Sequence, residues 1–207
     1  MAEWLSASWL MLVLAPFIGS FLGVLILRLP EREPVVLSRS RCPHCRRTLA
    51  ARDLIPLFSW LVMKRRCRHC GSALGWFYPN IEVAALLVAA WAVAVVPGPA
   101  RWATCALGWT LLALAVIDAR RMILPDALTL PLIALGLAVA AWLDPSRLIG
   151  HAIGAAAGFL VFWLIATLYR LLRHREGLGL GDAKLLAAAG AWVSWEGLPG
   201  VVFAASL

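Results

Sequence analysis

Gly177-Leu178-Gly179-Leu180-Gly181-Asp182-Ala183-Lys184 runs directly into the apolar stretch Leu185-Leu-Ala-Ala-Ala-Gly-Ala-Trp192. The three glycines let the backbone come close to another group, and the aspartate stands where the chain enters an apolar helix. A second aspartate stands at the end of another apolar run, in Ile117-Asp118-Ala-Arg-Arg-Met-Ile-Leu-Pro-Asp126. An ionisable side chain in or beside a membrane-spanning segment costs about 2.5–3.5 kcal/mol at mid-bilayer and is by default a functional candidate. The chain reads as a helical membrane scaffold that brings two carboxylates, Asp118 and Asp182, together.

Composition supports the membrane reading. Hydrophobic residues make up 62% of the 207 and charged residues 14%, against roughly half and a quarter in a soluble domain. The first span runs from Trp4 to Leu27. It is not a cleavable signal peptide, because Met-Ala-Glu has no basic n-region and the apolar run is too long. Pro16 and Gly19 mark an expected kink. Further spans are expected at about 79–96, 102–117, 127–143 and 148–172, each near the roughly 20 residues a bilayer requires. After Asp182 a short apolar segment reaches about Val193, Ser194-Trp-Glu-Gly-Leu-Pro-Gly200 makes a turn, and a further apolar run begins. That run is too short to cross, so additional C-terminal helices are expected beyond Leu207. The fold class is therefore an all-α polytopic integral membrane protein of about six or more transmembrane helices with a small cytoplasmic zinc-ribbon-like loop. Residues 1–27 form the first helix, 28–77 the polar loop and 78–207 the remaining membrane domain.

The net charge of +8 suggests nucleic acid at first sight. The basic residues sit in loops between apolar runs, however, and no basic face alternates with exposed aromatics, so no nucleic-acid partner is expected; the partner is the lipid bilayer. Seventeen of the nineteen Lys and Arg residues fall on one side of the assigned spans, and only Arg101 and Arg147 on the other. The positive-inside rule then places the polar loop, Asp118, Asp126 and Asp182 on the cytoplasmic face, with the N-terminus outside.

The polar loop holds Cys42-Pro-His-Cys45 and Cys67-Arg-His-Cys70, two C-x-x-C knuckles separated by twenty-one residues. This approximates the spacing of a four-cysteine zinc ribbon. In a cytoplasmic setting disulfides are disfavoured, and the neighbouring arginines favour thiolates. The metal ligands expected are Cys42, Cys45, Cys67 and Cys70. Free thiols or a redox pair are the alternatives, and His44 or His69 could replace one cysteine. A closed four-sulfur site leaves no position for water, so this zinc is structural. Cys105 lies alone in a span and reads as packing.

Each acidic residue has a structural alternative. Asp182 could be a helix N-cap, although a cap needs no preceding glycine-rich turn. Asp118 at a helix C-terminus opposes the helix dipole, so its alternative is neutralisation by Arg120 or Arg121. Asp126 follows Pro125 at the start of a span, where capping accounts for it. Glu82 follows Pro79 near the start of its span, where the dipole favours it, and a loop arginine could pair with it. His151 and His174 read as interface residues. Two carboxylates close together share a proton, which makes one a general base and the other a general acid for attack of water on a peptide carbonyl.

Taken in order, these features resemble the type IV prepilin peptidases. Gly19-Ser-Phe-Leu-Gly-Val-Leu-Ile-Leu-Arg-Leu-Pro30 is similar to that family's first-span signature, and the two cysteine knuckles to its zinc loop. Ile55-Pro-Leu-Phe-Ser-Trp60 and Tyr78-Pro-Asn-Ile-Glu82 are similar to its intervening motifs. Ile117-Asp118 with Leu124-Pro-Asp126, and Gly179-Leu-Gly-Asp182, are similar to its two catalytic blocks, the second being the G-x-G-D signature. The sequence departs from the family pattern at Gly23, Leu54 and Phe77, where the family usually has Asn, Asn and Arg. The resemblance implies that Asp118 and Asp182 are the catalytic pair, supported by Gly179, Gly181, Lys184, Asp126 and Glu82. It implies an aspartic endopeptidase of the bacterial inner membrane that cuts type IV prepilins or pseudopilins after a glycine. It also implies N-methylation of the new amino terminus with S-adenosylmethionine, associated with the N-terminal half, for which no binding residues can be named. A peptidase lacking the methyltransferase, and a non-catalytic zinc-ribbon membrane scaffold, are the competing readings.

Overall fold

A computed structural model describes residues 2–35, 40–42, 44–173 and 179–206. Its long helices are α1 (Ala2–Arg28), α3 (Phe77–Val95), α4 (Ala100–Arg121), α5 (Asp126–Leu143), α6 (Leu148–Arg173) and α7 (Leu180–Ala205), with a short α2 at Phe58–Val62. Six are long and apolar enough to cross a membrane. Only two isolated β-bridges occur among the described residues. Helices suit these segments because a helix satisfies its own backbone polar groups where lipid offers no partner. Large apolar side chains such as Trp9, Leu87, Trp91, Leu164 and Phe203 stay exposed on the protein surface, as side chains that face lipid would. The protein is a multi-pass membrane protein.

The chain forms two compact units, Met1–Arg121 and Met122–Leu207. In the first, α1 packs on α3 and α4, and α3 on α4. The α1–α3 contact is made at Gly19 and Gly23. A Cβ at Gly19 would lie 2.6 Å from the Glu82 Cα, and one at Gly23 would lie 2.7 Å from the Tyr78 ring. The Trp109 indole N–H donates to the Ala85 carbonyl at 2.9 Å and ties α4 to α3. In the second unit α6 and α7 are closely packed and α5 lies on both. Gly150, Gly154 and Gly158 recur every fourth residue on α6, a small-residue stripe of the kind that lets membrane helices approach closely. A Cβ at Gly158 would lie 2.6 Å from the Leu186 carbonyl oxygen, and one at Gly190 of α7 would lie 2.1 Å from the Gly154 carbonyl oxygen. The His151 Nδ1–H donates to the Ala191 carbonyl at 2.9 Å, and the Trp192 indole N–H to Leu132 at 3.0 Å. His151 thus ties α6 to α7; His174 lies outside the described residues.

Three expectations shift. Helix α3 begins at Phe77, before Pro79, and so places Glu82 in its second turn. Helix α4 runs on to Arg121, so Asp118 lies within its last turn. The turn expected over 194–200 shrinks to one residue, Ser194, with φ 65° and ψ 171°, after which α7 continues to Ala205. In a bilayer an open turn leaves backbone groups without partners, so resuming the helix at once is the cheaper course.

Candidate functional site

The polar loop folds as two copies of one knuckle. In the first, the Cys42 N–H donates to the Arg47 carbonyl, the Arg46 N–H donates to the Cys42 carbonyl, and Arg41 bridges Thr48. In the second, the Cys67 N–H donates to Ser72, the Gly71 N–H to Cys67, and Arg66 bridges Ala73. Arg46 and Gly71 occupy the same place and share a left-handed backbone, φ 56° and 69°. The ligand atoms of Cys42, Cys45, Cys67 and Cys70 all lie within 4.8 Å of one another. Cys42 and Cys70 Sγ are 3.9 Å apart, close to the roughly 3.8 Å edge of a tetrahedron with 2.3 Å metal–sulfur bonds. The four sulfurs can therefore hold one metal ion. His69 is not part of this four-sulfur cluster; its Nδ1 lies 3.2 Å from Arg47 Nη1. The Ser72 hydroxyl and then its backbone N–H hold the Cys70 thiol down to about 6, and the Cys45 backbone N–H lowers Cys42. Donors that stabilise thiolates also ready them for a cation.

Between this loop and the α1 and α3 helices lies a cavity of about 410 Å³. Ser20, Val24 and Arg28 line it from α1, Phe77, Tyr78 and Glu82 from α3, and Leu54, Leu57 and Trp60 from the loop. Glu82 is 4% exposed. Among the described residues it pairs with no loop arginine. Its Oε2 instead accepts the backbone N–H of Leu57 at 2.8 Å, and Leu57 is itself held at φ 57°. The other acid on the cavity wall, Asp53, is paired with Arg68 Nε at 2.7 Å. Sequence reasoning passed over Asp53 and Arg68, because two ordinary loop charges fifteen positions apart carry no pattern.

Asp118 belongs to the first unit, on the turn of α4 that carries the fully buried Ile117. Neither neighbouring arginine forms an ion pair with it. The Arg121 guanidinium pairs with Glu31, and the Arg120 guanidinium lies 4.8 Å over the Phe77 ring. Among the described residues Asp118 makes no ion pair.

Asp182 belongs to the second unit. Gly177 and Leu178, the start of the glycine-rich turn, lie outside the described residues. Gly179 is the N-cap of α7 in extended conformation, and the Asp182 N–H donates to its carbonyl at 3.2 Å. Asp182 is thus the third helical residue and not the cap. Its Oδ2 sits 3.5 Å from where a Cβ at Gly179 would be, and its carboxylate lies at the positive end of the helix. Gly181 leaves room for Leu124, whose Cβ a side chain at 181 would approach to 3.0 Å. Asp126, the first residue of α5 after Pro125, is ion-paired with Lys184 Nζ at 2.5 Å. That pair joins the two acidic blocks of this unit and engages the Asp126 charge.

Residues 13–96 match the bacterial Peptidase A24 N-terminal domain, and residues 105–207 match the type IV leader peptidase family. Among curated relatives, a prepilin leader peptidase/N-methyltransferase of Burkholderia pseudomallei (strain 1026b) is 46% identical over 86% of this chain and 58% of its own length. One of Aeromonas hydrophila is 41% identical over 99% of this chain and 79% of its own. One of Klebsiella pneumoniae is 42% identical over 91% and 86%. The chain thus spans somewhat over half the length of the Burkholderia relative. No solved structure matches. Identity at this level across nearly the whole chain, with the cysteine knuckles and both acidic blocks in place, makes the chain a member of the type IV leader peptidase family.

Proposed function

We propose that this chain is a membrane-embedded aspartic endopeptidase that removes the leader of type IV prepilins or pseudopilins after a glycine, on the cytoplasmic side of the bacterial inner membrane. The observation that carries the reading is Asp118, a carboxylate without an ion partner among the described residues although two arginines follow it within three positions. Asp182, at the N-terminus of α7 behind a glycine cap, is its expected counterpart. The relatives named prepilin leader peptidase/N-methyltransferase support the substrate class.

In the proposed chemistry the two carboxylates hold one proton between them. The ionised member takes a proton from water as the oxygen attacks the scissile carbonyl. The protonated member donates to the carbonyl oxygen, and the proton is then passed to the leaving amine. Gly179, where a Cβ would meet nothing nearer than Asp182 Oδ2 at 3.5 Å, leaves the approach to Asp182 open for an extended substrate backbone, whereas Gly181 makes room for Leu124. Lys184 and Asp126 fix the start of α7 against the start of α5. The four cysteines hold a structural zinc ion, which closes the loop fold and takes no part in peptide hydrolysis. The same protein then methylates the new amino terminus. S-adenosylmethionine, when bound, supplies the methyl group; the protein's own task is to orient the acceptor amine and exclude water.

The test is cleavage of a prepilin-like substrate in membranes. Asp118→Asn and Asp182→Asn should each lower the rate at least about a hundredfold while inserting as the parent does. Cleavage by both variants at the parental rate would leave the non-catalytic scaffold as the better reading. Transfer of labelled methyl to the cleaved product separates the bifunctional enzyme from a peptidase alone.

A further inference from the structure

The cavity in the first unit is not used by the proposed peptide hydrolysis, and its wall is chemically specific. Glu82 is buried, and among the described residues no Lys, Arg or His lies within ion-pair distance of it. Asp53, on the same wall, already has Arg68. The Trp60 indole nitrogen is also buried without a hydrogen-bond partner among the described residues, an unfavourable state unless something accepts the bond. The remaining lining is largely apolar and includes Phe77 and Tyr78, together with Arg28, which donates to the Pro34 and Val35 carbonyls, and Arg120, whose guanidinium lies over the Phe77 ring. A fitting ligand carries a cation for Glu82, an acceptor for Trp60, a flat ring for the aromatic wall and an anionic group for the arginines. The volume of about 410 Å³ is within the roughly 300–1,000 Å³ of small-molecule sites.

We propose that this cavity binds S-adenosylmethionine, with Glu82 facing its sulfonium and Trp60, Phe77 and Tyr78 enclosing its adenine. The proposal rests on the methyltransferase reading above and deepens it by naming the site. Binding a cation beside Glu82 favours its carboxylate form and replaces lost hydration with a direct charge contact. The product, S-adenosylhomocysteine, has a neutral thioether in place of the sulfonium, so Glu82 discriminates between donor and product.

The test uses the full chain in nanodiscs with tritium-labelled S-adenosylmethionine. Ultraviolet cross-linking to the parent should place label on peptides within residues 54–82. Glu82→Gln keeps an acceptor for the Leu57 N–H and removes the charge; it should weaken donor binding at least tenfold and product binding less than threefold. Val24→Phe, which fills the cavity from α1, should weaken both at least tenfold. Zinc content of each variant reports whether the loop remains folded, and the cross-link map on the parent stands independently of either variant. The site assignment is overturned if the label maps to residues 122–207, or if both variants retaining zinc bind the donor as the parent does. It is also overturned if Glu82→Gln raises only the KM for the acceptor peptide, since Glu82 would then face the peptide amine. A parent that neither binds the donor nor transfers methyl sinks the methyltransferase reading and this site together, whereas a parent that transfers methyl with unaffected variants sinks this site alone.

Discussion

At the residue scale, the two cysteine knuckles set up a controlled comparison. Arg46 and Gly71 occupy equivalent left-handed positions, and a non-glycine residue there costs about 1 kcal/mol. Arg46→Gly should therefore raise loop stability by up to about 1 kcal/mol, read as tighter metal retention in a chelator competition. Gly71→Ala should lower it by a similar amount, because an added Cβ meets nothing within 4 Å and only the backbone term remains. The Asp126–Lys184 pair is partly exposed, with side chains 57% and 25% accessible. Exposed pairs contribute about 0–1 kcal/mol. Asp126→Asn should accordingly shift thermal stability by no more than this amount and reduce cleavage less than tenfold, in contrast to Asp118→Asn.

At the element scale, the α6–α7 contact depends on backbone meeting backbone at Gly154, Gly158 and Gly190. A Cβ at Gly190 would fall 2.1 Å from the Gly154 carbonyl oxygen, and that neighbour is main chain and cannot swing aside. Gly190→Ala should destabilise the second unit by about 1–3 kcal/mol, the range for overpacking. Gly200→Ala on the same helix meets nothing within 4 Å and should be neutral or slightly favourable, since glycine is the weaker helix former. Denaturation in a fixed detergent, followed by tryptophan fluorescence, separates the two outcomes. The α1–α3 contact follows the same logic with a softer neighbour at one end. Gly23 faces the Tyr78 ring whereas Gly19 faces the Glu82 backbone, so only Gly19 lacks a movable partner.

At the scale of the whole molecule, the two compact units carry different stabilising chemistry. The four cysteines that can hold a metal ion lie in the first, while the second relies on close helix packing. Removing the metal with a strong chelator should expose backbone amides over residues 40–74 to hydrogen exchange and leave those of 126–205 protected. The freed thiols also report orientation. With seventeen basic residues on one side against two, the loop should be labelled by an impermeant maleimide in inverted vesicles and spared in right-side-out ones. Equal labelling in both would refute the topology on which the shared cytoplasmic face of Asp118 and Asp182 depends.

Much of this architecture was legible in the chain. Apolar runs of bilayer length define membrane helices because lipid leaves the backbone no alternative, and two C-x-x-C pairs define a four-sulfur cluster because the ligands are local in sequence. The position of Asp182 after a glycine turn was legible for the same reason, although its place as third helical residue was not. What required tertiary structure were contacts between distant, individually ordinary residues. These are the Glu31–Arg121 and Asp53–Arg68 pairs, the Lys184–Asp126 bridge, and Glu82 accepting the Leu57 N–H while lining a cavity. The Gly150, Gly154 and Gly158 stripe was present in the sequence, yet its partner on α7 emerges only from packing. Local preferences and solvent set which segments become helices. Which side chains then meet depends on how those helices rotate and approach, and single-sequence patterns do not encode this strongly.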